Sequence, residues 1–291
     1  MEQRKKQIPW WGIFLIVIAS IAAIISSLFG AYLLCMKLIF DADGIKLIKS
    51  AIHLTQSVNE EQKYSSRFSE SDFSSTVNEI NGAVNNLITY SESDKYQINT
   101  NIESSMSHDI VLNSKQTGSF INYFLTKENL NKITFDTIEI SFEIVQLEFS
   151  SLNDSSIISN VVIKMGLSSF KDIYDNNSQF KFREHLPSTF YFSSFCEIQL
   201  NETSFTYNVN HSSVEINNLT YDEILNILKV VNKYHTFFDA NSISTEIQSS
   251  IYQFLIGNNA NKGFAYSLRD LGATGVSFEE RNSAPSFVIK A

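Results

Sequence analysis

From Ile8 to Met36 the chain reads IPWWGIFLIVIASIAAIISSLFGAYLLCM, without a charged residue. As a helix rising about 1.5 Å per residue, this run is roughly 43 Å long, more than the roughly 30 Å hydrocarbon core of a bilayer. About eleven Leu, Ile, Val and Phe between Ile13 and Phe29 contribute about −5 kcal/mol on an insertion scale, enough to outweigh Ser20, Ser26 and Ser27. A cleavable signal peptide has an apolar region of about 7–15 residues followed by a small-x-small site. This run is about twice as long, Leu33-Leu34-Cys35-Met36 offers no such site, and Leu34 is too bulky to precede a lipoprotein cysteine. The pattern predicts an uncleaved transmembrane helix over 8–36.

The flanks set its direction. Arg4, Lys5 and Lys6 make the 1–7 tail basic, and short basic segments stay in the cytoplasm. Everything after Lys37 is then expected outside the cell membrane, in a single-pass, N-inside arrangement. Trp10 and Trp11 fall at the inner headgroup level and Tyr32 near the outer one. Ala19, Ala23, Ser26 and Gly30 fall near one face with two small-xxx-small pairs among them, a candidate packing face for a second transmembrane helix and hence for a homodimer.

Beyond the anchor, the pattern predicts a membrane-proximal helical stalk or layer over 37–92 and an extracytoplasmic α+β domain over 93–291. Ile45, Ile48 and Ile52, with Leu47, Ala51, Leu54 and Val58, recur at helical spacing. A second helix is expected from Asp72 to Tyr90 through Val77, Ile80, Val84, Leu87 and Ile88. Asn113 and Gln116 match a capping box that opens a helix carrying Phe120, Ile121, Phe124 and Leu125. Ile138, Ile140, Phe142 and Ile144 alternate with polar residues as in a half-solvated strand; the phase then shifts to Val145, Leu147 and Phe149, which predicts a bulge or bend. Further strands are expected at Ile157–Leu167, Phe180–Phe182, Phe190–Phe192, Phe195–Leu200, Phe205–Val209 and Val214–Ile216, with turns near Ser193-Ser194 and Asn201-Glu202. Thr220 and Glu223 match a second capping box, for a helix to about Tyr234. Another helix runs over Ser242–Leu255 with Gly257 as its cap, and Phe264–Leu268, Val276–Glu280 and Phe287–Ile289 read as strands. The whole is α+β: a curved, mainly antiparallel sheet packed with several helices.

Composition narrows the partners. The 291 residues carry a net charge of −9, which disfavours nucleic acid, and no stretch after Lys49 forms a basic stripe. The same acidity opposes an anionic membrane surface, so contact of the body with lipid has to be apolar. The 23 Phe and 12 Tyr suit an aromatic groove, and suit equally the codon usage of an AT-rich genome. Cys35 and Cys196 make no disulfide framework.

At Asp109–Leu125 the chain reads DIVLNSKQTGSFINYFL. This resembles the segment that opens the outer domain of YpmS-like single-pass membrane proteins of Gram-positive bacteria, where an extended piece, a Ser/Thr/Asn cap and an amphipathic helix follow the anchor in that order. The strands from Ile133 to Phe149 and the Leu186-Pro187 start of a later strand look similar to that family, so the likeness spans roughly Asp109 to Tyr207. It implies an extracytoplasmic domain, a curved sheet around a helix, similar to lipid-binding envelope proteins. It carries no chemical motif and therefore no functional residue.

The residues give little chemistry. His53, His108, His185, His211 and His235 are scattered without metal-binding spacing, and there is neither a Gly-x-Ser-x-Gly elbow nor a phosphate loop. Asp41-Ala42-Asp43-Gly44 has the look of the start of a calcium loop but lacks the later ligands and the closing Glu. Glu279-Glu280 point to opposite faces of a strand, and Asp222-Glu223 is explained by capping. No catalytic residue, metal or cofactor is expected. Two functions remain: a non-enzymatic, membrane-anchored envelope protein acting as an interaction or scaffold domain for a partner protein, or a module holding a lipid or other amphiphile in an apolar groove.

Overall fold

A computed structural model describes residues 10–56, 58, 63–64, 66–99, 101–135, 138–153, 156–166, 188–201, 203–231, 240–257, 262–281 and 283–291. The expected strand at Phe180–Phe182 and the Leu186-Pro187 opening lie outside them. The described residues form an α+β protein whose sheets are antiparallel and open-edged. Helix α1 (Trp10–Phe40) is followed, after three residues, by α2 (Gly44–Thr55) and then α3 (Glu70–Ala83). A hairpin of β1 (Ile88–Ser91) and β2 (Lys95–Ile98) precedes β3 (Ile110–Asn113) and α4 (Ser114–Lys127). After the hairpin β4 (Lys132–Phe135) and β5 (Ile138–Ser141) comes a four-stranded meander: β6 (Glu143–Asn153), β7 (Ser156–Gly166), β8 (Thr189–Asn201) and β9 (Thr206–Ile216). Helices α5 (Tyr221–Val231), α6 (Ala240–Leu255) and α7 (Phe264–Ser267) follow, then β10 (Gly275–Arg281) and β11 (Ala284–Lys290), of which β11 lies between β10 and β3 in a three-stranded sheet.

The meander has two unlike faces because its residues alternate. Val161, Ile163 and Met165 of β7, with Phe192, Cys196 and Ile198 of β8, turn into the main core, where α4, α6 and the β3–β11–β10 sheet meet them. Aromatic rings fill that core: Phe120 lies 4.7 Å from Phe264 and 5.0 Å from Phe124, and Phe149 lies 5.1 Å from Phe278. On the opposite face Val145, Val162 and Tyr191 are covered by Tyr64, whose ring stands 5.2 Å from that of Tyr191. Register shifts at Ile144/Gln146, Ser151/Asn153 and Phe195/Glu197 bend the strands, the first where the apolar phase changes in the sequence. Residues 70–91 share this core, since Phe73, Val77, Ile80, Val84, Leu87 and Ile88 are all buried in it.

Both predicted capping boxes form. Asn113 accepts from Gln116 N at 2.9 Å while its own N–H donates to Gln116 Oε1 at 3.0 Å; Thr220 and Glu223 repeat the exchange. Three expectations change. The helix expected over 72–90 stops at Ala83, because Val84 turns extended, Asn86 takes φ +58° and the Asn81 side chain bonds both backbone groups of Ile88, which becomes a strand residue. No turn breaks the chain at Ser193-Ser194: β8 runs straight through, because Ser194 hydrogen-bonds into α6 instead of to water. Phe264–Leu268 is helix, not strand. Its buried residues Phe264, Ala265 and Leu268 follow helical spacing, which alternation of Phe264, Tyr266 and Leu268 had masked.

Helix α4 approaches β6 across Gly118, where an added Cβ would sit 2.9 Å from Leu147 Cβ and from the Phe68 ring. Gly118→Leu is expected to destabilise the protein by about 1–3 kcal/mol, read as a lower urea midpoint in detergent, although it replaces a helix-weakening residue by a helix former.

Candidate functional site

The feature that stands out is α1. Its segment Ala22–Phe40 is long and apolar enough to cross a membrane, a description a signal sequence also meets, and none of it is buried in the protein. Ile24, Leu28 and Leu38 are 60%, 67% and 80% exposed. Of the sequence-predicted positions, Trp10, Trp11 and Ala19 lie on the helix, with side chains outside what is described. Ala23 and Ser26 are exposed, and at Gly30 a Cβ would meet nothing within 4 Å. Tyr32 is different. It is half-buried, and its hydroxyl donates to Gly44 O at 3.2 Å.

That bond belongs to a junction which fastens α1 to the body. The chain reverses at Asp41, which takes φ +49°, and Ala42 N donates back to Met36 O at 3.1 Å. Gly44 is buried against α1, and a Cβ there would fall 2.8 Å from Leu33 Cδ2 and 3.0 Å from Tyr32 Cε1. Asp43 caps α2 by accepting from Ile45 N and Lys46 N at 2.9 and 3.0 Å. The same residue is gripped by α5: Asp43 N donates to Asn226 Oδ1 at 2.8 Å, and Asn226 Nδ2 donates to Asp43 O at 3.0 Å. Lys229 Nζ donates to Asp41 O at 3.1 Å, Lys37 pairs with the Asp41 carboxylate, and Lys46 reaches Asp222 at 3.5 Å. The Asp-x-Asp-Gly stretch is therefore a cap and a clasp. Asp41 is held below the usual carboxylate range by Lys37 and then Lys229, and Asp43 by the Lys46 and Ile45 N–H groups.

A second contact closes the clasp at the other end of α2. His53 Nδ1 lies 2.9 Å from Glu223 Oε1, while the other Glu223 oxygen accepts from Thr220 N at 2.9 Å. Burial pushes the Glu223 carboxyl up, but the Thr220 hydrogen bonds and His53 outweigh it, and its pKa is lowered.

Elsewhere two arrangements merit a chemical reading. Between the meander and α6 runs a buried seam of neutral groups: Ser194 Oγ is 2.7 Å from Ser244 Oγ, Cys196 Sγ is 3.4 Å from it, and Gln248 Nε2 donates to Ser159 O and Ser194 O. Burial pushes the Cys196 thiol up against the Ser244 and Ser194 bonds, and the Tyr207 phenol to about 12. A buried, protonated thiol is no nucleophile, so the seam is a polar staple between sheet and helix. The other arrangement is a half-open groove of about 600 Å³ lined by Ile98, Leu125, Leu130, Phe254 and Phe264, with Ser250, Gln253, Lys262 and Ser267. Among the described residues no three His, Cys, Asp or Glu gather where they could hold a metal.

Sequence reasoning found the long apolar helix but missed the clasp. Asn226 and Lys229 meet Asp43 and Asp41 across more than 180 residues of chain, and nothing in either local pattern announces the pairing. Asn226→Ala strands two backbone groups of Asp43 and is expected to weaken the junction by about 1–3 kcal/mol, seen as faster amide exchange at Asp43 and protease cleavage near 41–43. Glu223→Gln is expected to cost about 1 kcal/mol at neutral pH. Because the folded pKa of Glu223 is lowered, its contribution is full above the ordinary carboxylate value and is lost as pH falls through the folded one. Urea midpoints of the wild type and Glu223→Gln should therefore converge in acid.

Comparison of the chain with protein-family models, with curated proteins and with solved structures finds no match.

Proposed function

We propose that this is a single-pass, extracytoplasmic, non-enzymatic membrane protein of the cell envelope, in which an uncleaved α1 holds the folded body outside the membrane as an interaction or scaffold domain. The observation that carries this reading is the pairing of opposites at the junction. Ala22–Phe29 of α1 is exposed at its apolar side chains, yet the C-terminal end of the helix is clasped to the body through Gly44, Asp43 and Asn226. A bare apolar helix is stable in hydrocarbon and costly in water. A clasp ties the body's position to the helix, as a scaffold that presents one face to a membrane-resident partner requires. The basic tail supports the N-inside orientation, and the likeness of Asp109–Tyr207 to YpmS-like proteins points the same way.

The half-open groove favours a second reading, a module that holds a lipid or other amphiphile. Its volume of about 600 Å³ lies within the range of small-molecule sites, and five of its lining residues are Ile, Leu or Phe. Such a ligand would survive gentle detergent extraction and be found by mass spectrometry in near-stoichiometric amount; its absence, with one protein partner recovered by cross-linking, selects the scaffold.

Topology gives the direct test. In intact cells a membrane-impermeant maleimide should label Glu280→Cys and leave Lys5→Cys untouched until the membrane is opened. The chain should stay at full length in the alkali-washed membrane fraction. Labelling of Glu280→Cys only after permeabilisation, or release of a shortened body, would falsify the reading.

A further inference from the structure

Helix α2 carries an apolar stripe that no part of the described protein covers. Ile45, Ile48 and Ile52 are 49%, 41% and 52% exposed, and at 3.6 residues per turn they fall on one face. Ser50, which is buried, and Leu47 and Leu54, which are half-buried, lie on the other, toward α5. A soluble helix usually turns its isoleucines inward. Here the outward face is the more apolar one.

The start of α2 has a definite level relative to α1. Gly44 packs against Leu33 and Met36 and receives the Tyr32 hydroxyl. Leu33 stands seven residues before Phe40, so α2 begins roughly 10 Å back along α1, beside the end of its apolar span. Tyr side chains collect at headgroup level in membrane spans. A helix whose first residue is bonded to such a tyrosine begins at that level too. Lys49, which is exposed, flanks the stripe at helical spacing, where lipid phosphates and glycerol carbonyls would meet it.

We infer that α2 is an interfacial helix: its Ile45–Ile48–Ile52 face is seated in the headgroup–acyl boundary of the leaflet where α1 ends. Apolar faces of such helices sink about 5–10 Å into that boundary, so this contact is made by hydrocarbon and not by attraction of an acidic body to lipid charge. Because α2 is clasped to α5, seating it fixes the tilt and rotation of the body above the membrane. A single spanning helix would leave both free. The inference rests on the membrane-anchor reading and adds to it the surface on which the body lies.

The test uses the full chain with Cys35→Ser, Cys196 being buried, reconstituted into phosphatidylcholine vesicles with a minor share of phosphatidylglycerol. A polarity-sensitive fluorophore is placed in turn at Ile48→Cys, Leu28→Cys and Glu280→Cys. Nitroxide-labelled lipid and aqueous iodide serve as quenchers. The expected result is lipid quenching at Ile48 and Leu28 several-fold stronger than at Glu280, with iodide effective only at Glu280. If Leu28 is quenched by lipid and Ile48 by iodide, the interfacial seat is wrong while the anchor stands. If neither quencher reaches Ile48, a second copy or another protein covers the stripe, and the proposal is again overturned. Iodide quenching at Leu28 would remove the anchor and this inference together.

Discussion

A helix with apolar side chains on every side has no stable place in water, and no residue of the Ala22–Phe40 span of α1 is fully buried by the rest of the chain. Burying a Leu or Ile side chain is worth about 1.5–3 kcal/mol, and this helix leaves many of them bare. The folded body does not compensate by wrapping around it. It touches α1 at its C-terminal turns through a small buried glycine, whose carbonyl accepts from the Tyr32 hydroxyl of α1. Small residues allow close approach, and the polar bond gives the approach a direction. The attachment is thus specific without hiding the apolar surface.

The body is built to be firm at its centre. Its core is a continuous packing of aromatic and aliphatic side chains between the four-stranded meander, the three-stranded sheet and helices α4 and α6. The polar groups buried there, Ser194, Ser244, Gln248 and Cys196, are tied to one another across sheet and helix. Burial keeps the thiol and the phenols protonated. Titratable chemistry is instead found at the clasp, where Asp41, Asp43 and Glu223 are each held charged by a lysine, a backbone N–H or a histidine. The apolar groove at Phe254 and Phe264 lies apart from these charges.

Local signals in the chain were legible wherever one short stretch decides its own structure. The charge-free run, the two capping boxes, the phase shift at Val145, and the strands around β7, β10 and β11 could all be read, because each depends on neighbours within a few residues. Readings failed where a distant partner decided. Ser193-Ser194 has the composition of a turn, yet hydrogen bonds from α6 keep it inside a strand. Ile88 continues a helical stripe, yet Asn81 captures its backbone for a hairpin.

The amino-acid order by itself determined that one segment is apolar enough for a bilayer, that the remainder is an acidic α+β body, and that Ile45, Ile48 and Ile52 share a helical face. Hydrophobicity and periodicity are sums over adjacent residues, so they need no fold to be read. Only the tertiary structure decided which face of α2 is bare, because that depends on Asn226, Lys229 and Glu223 arriving from some 170–190 residues away. The same contacts set α2 beside Tyr32 and Leu33. Long-range contact of this kind leaves no trace in local pattern, since its residues must match in space and not in sequence spacing.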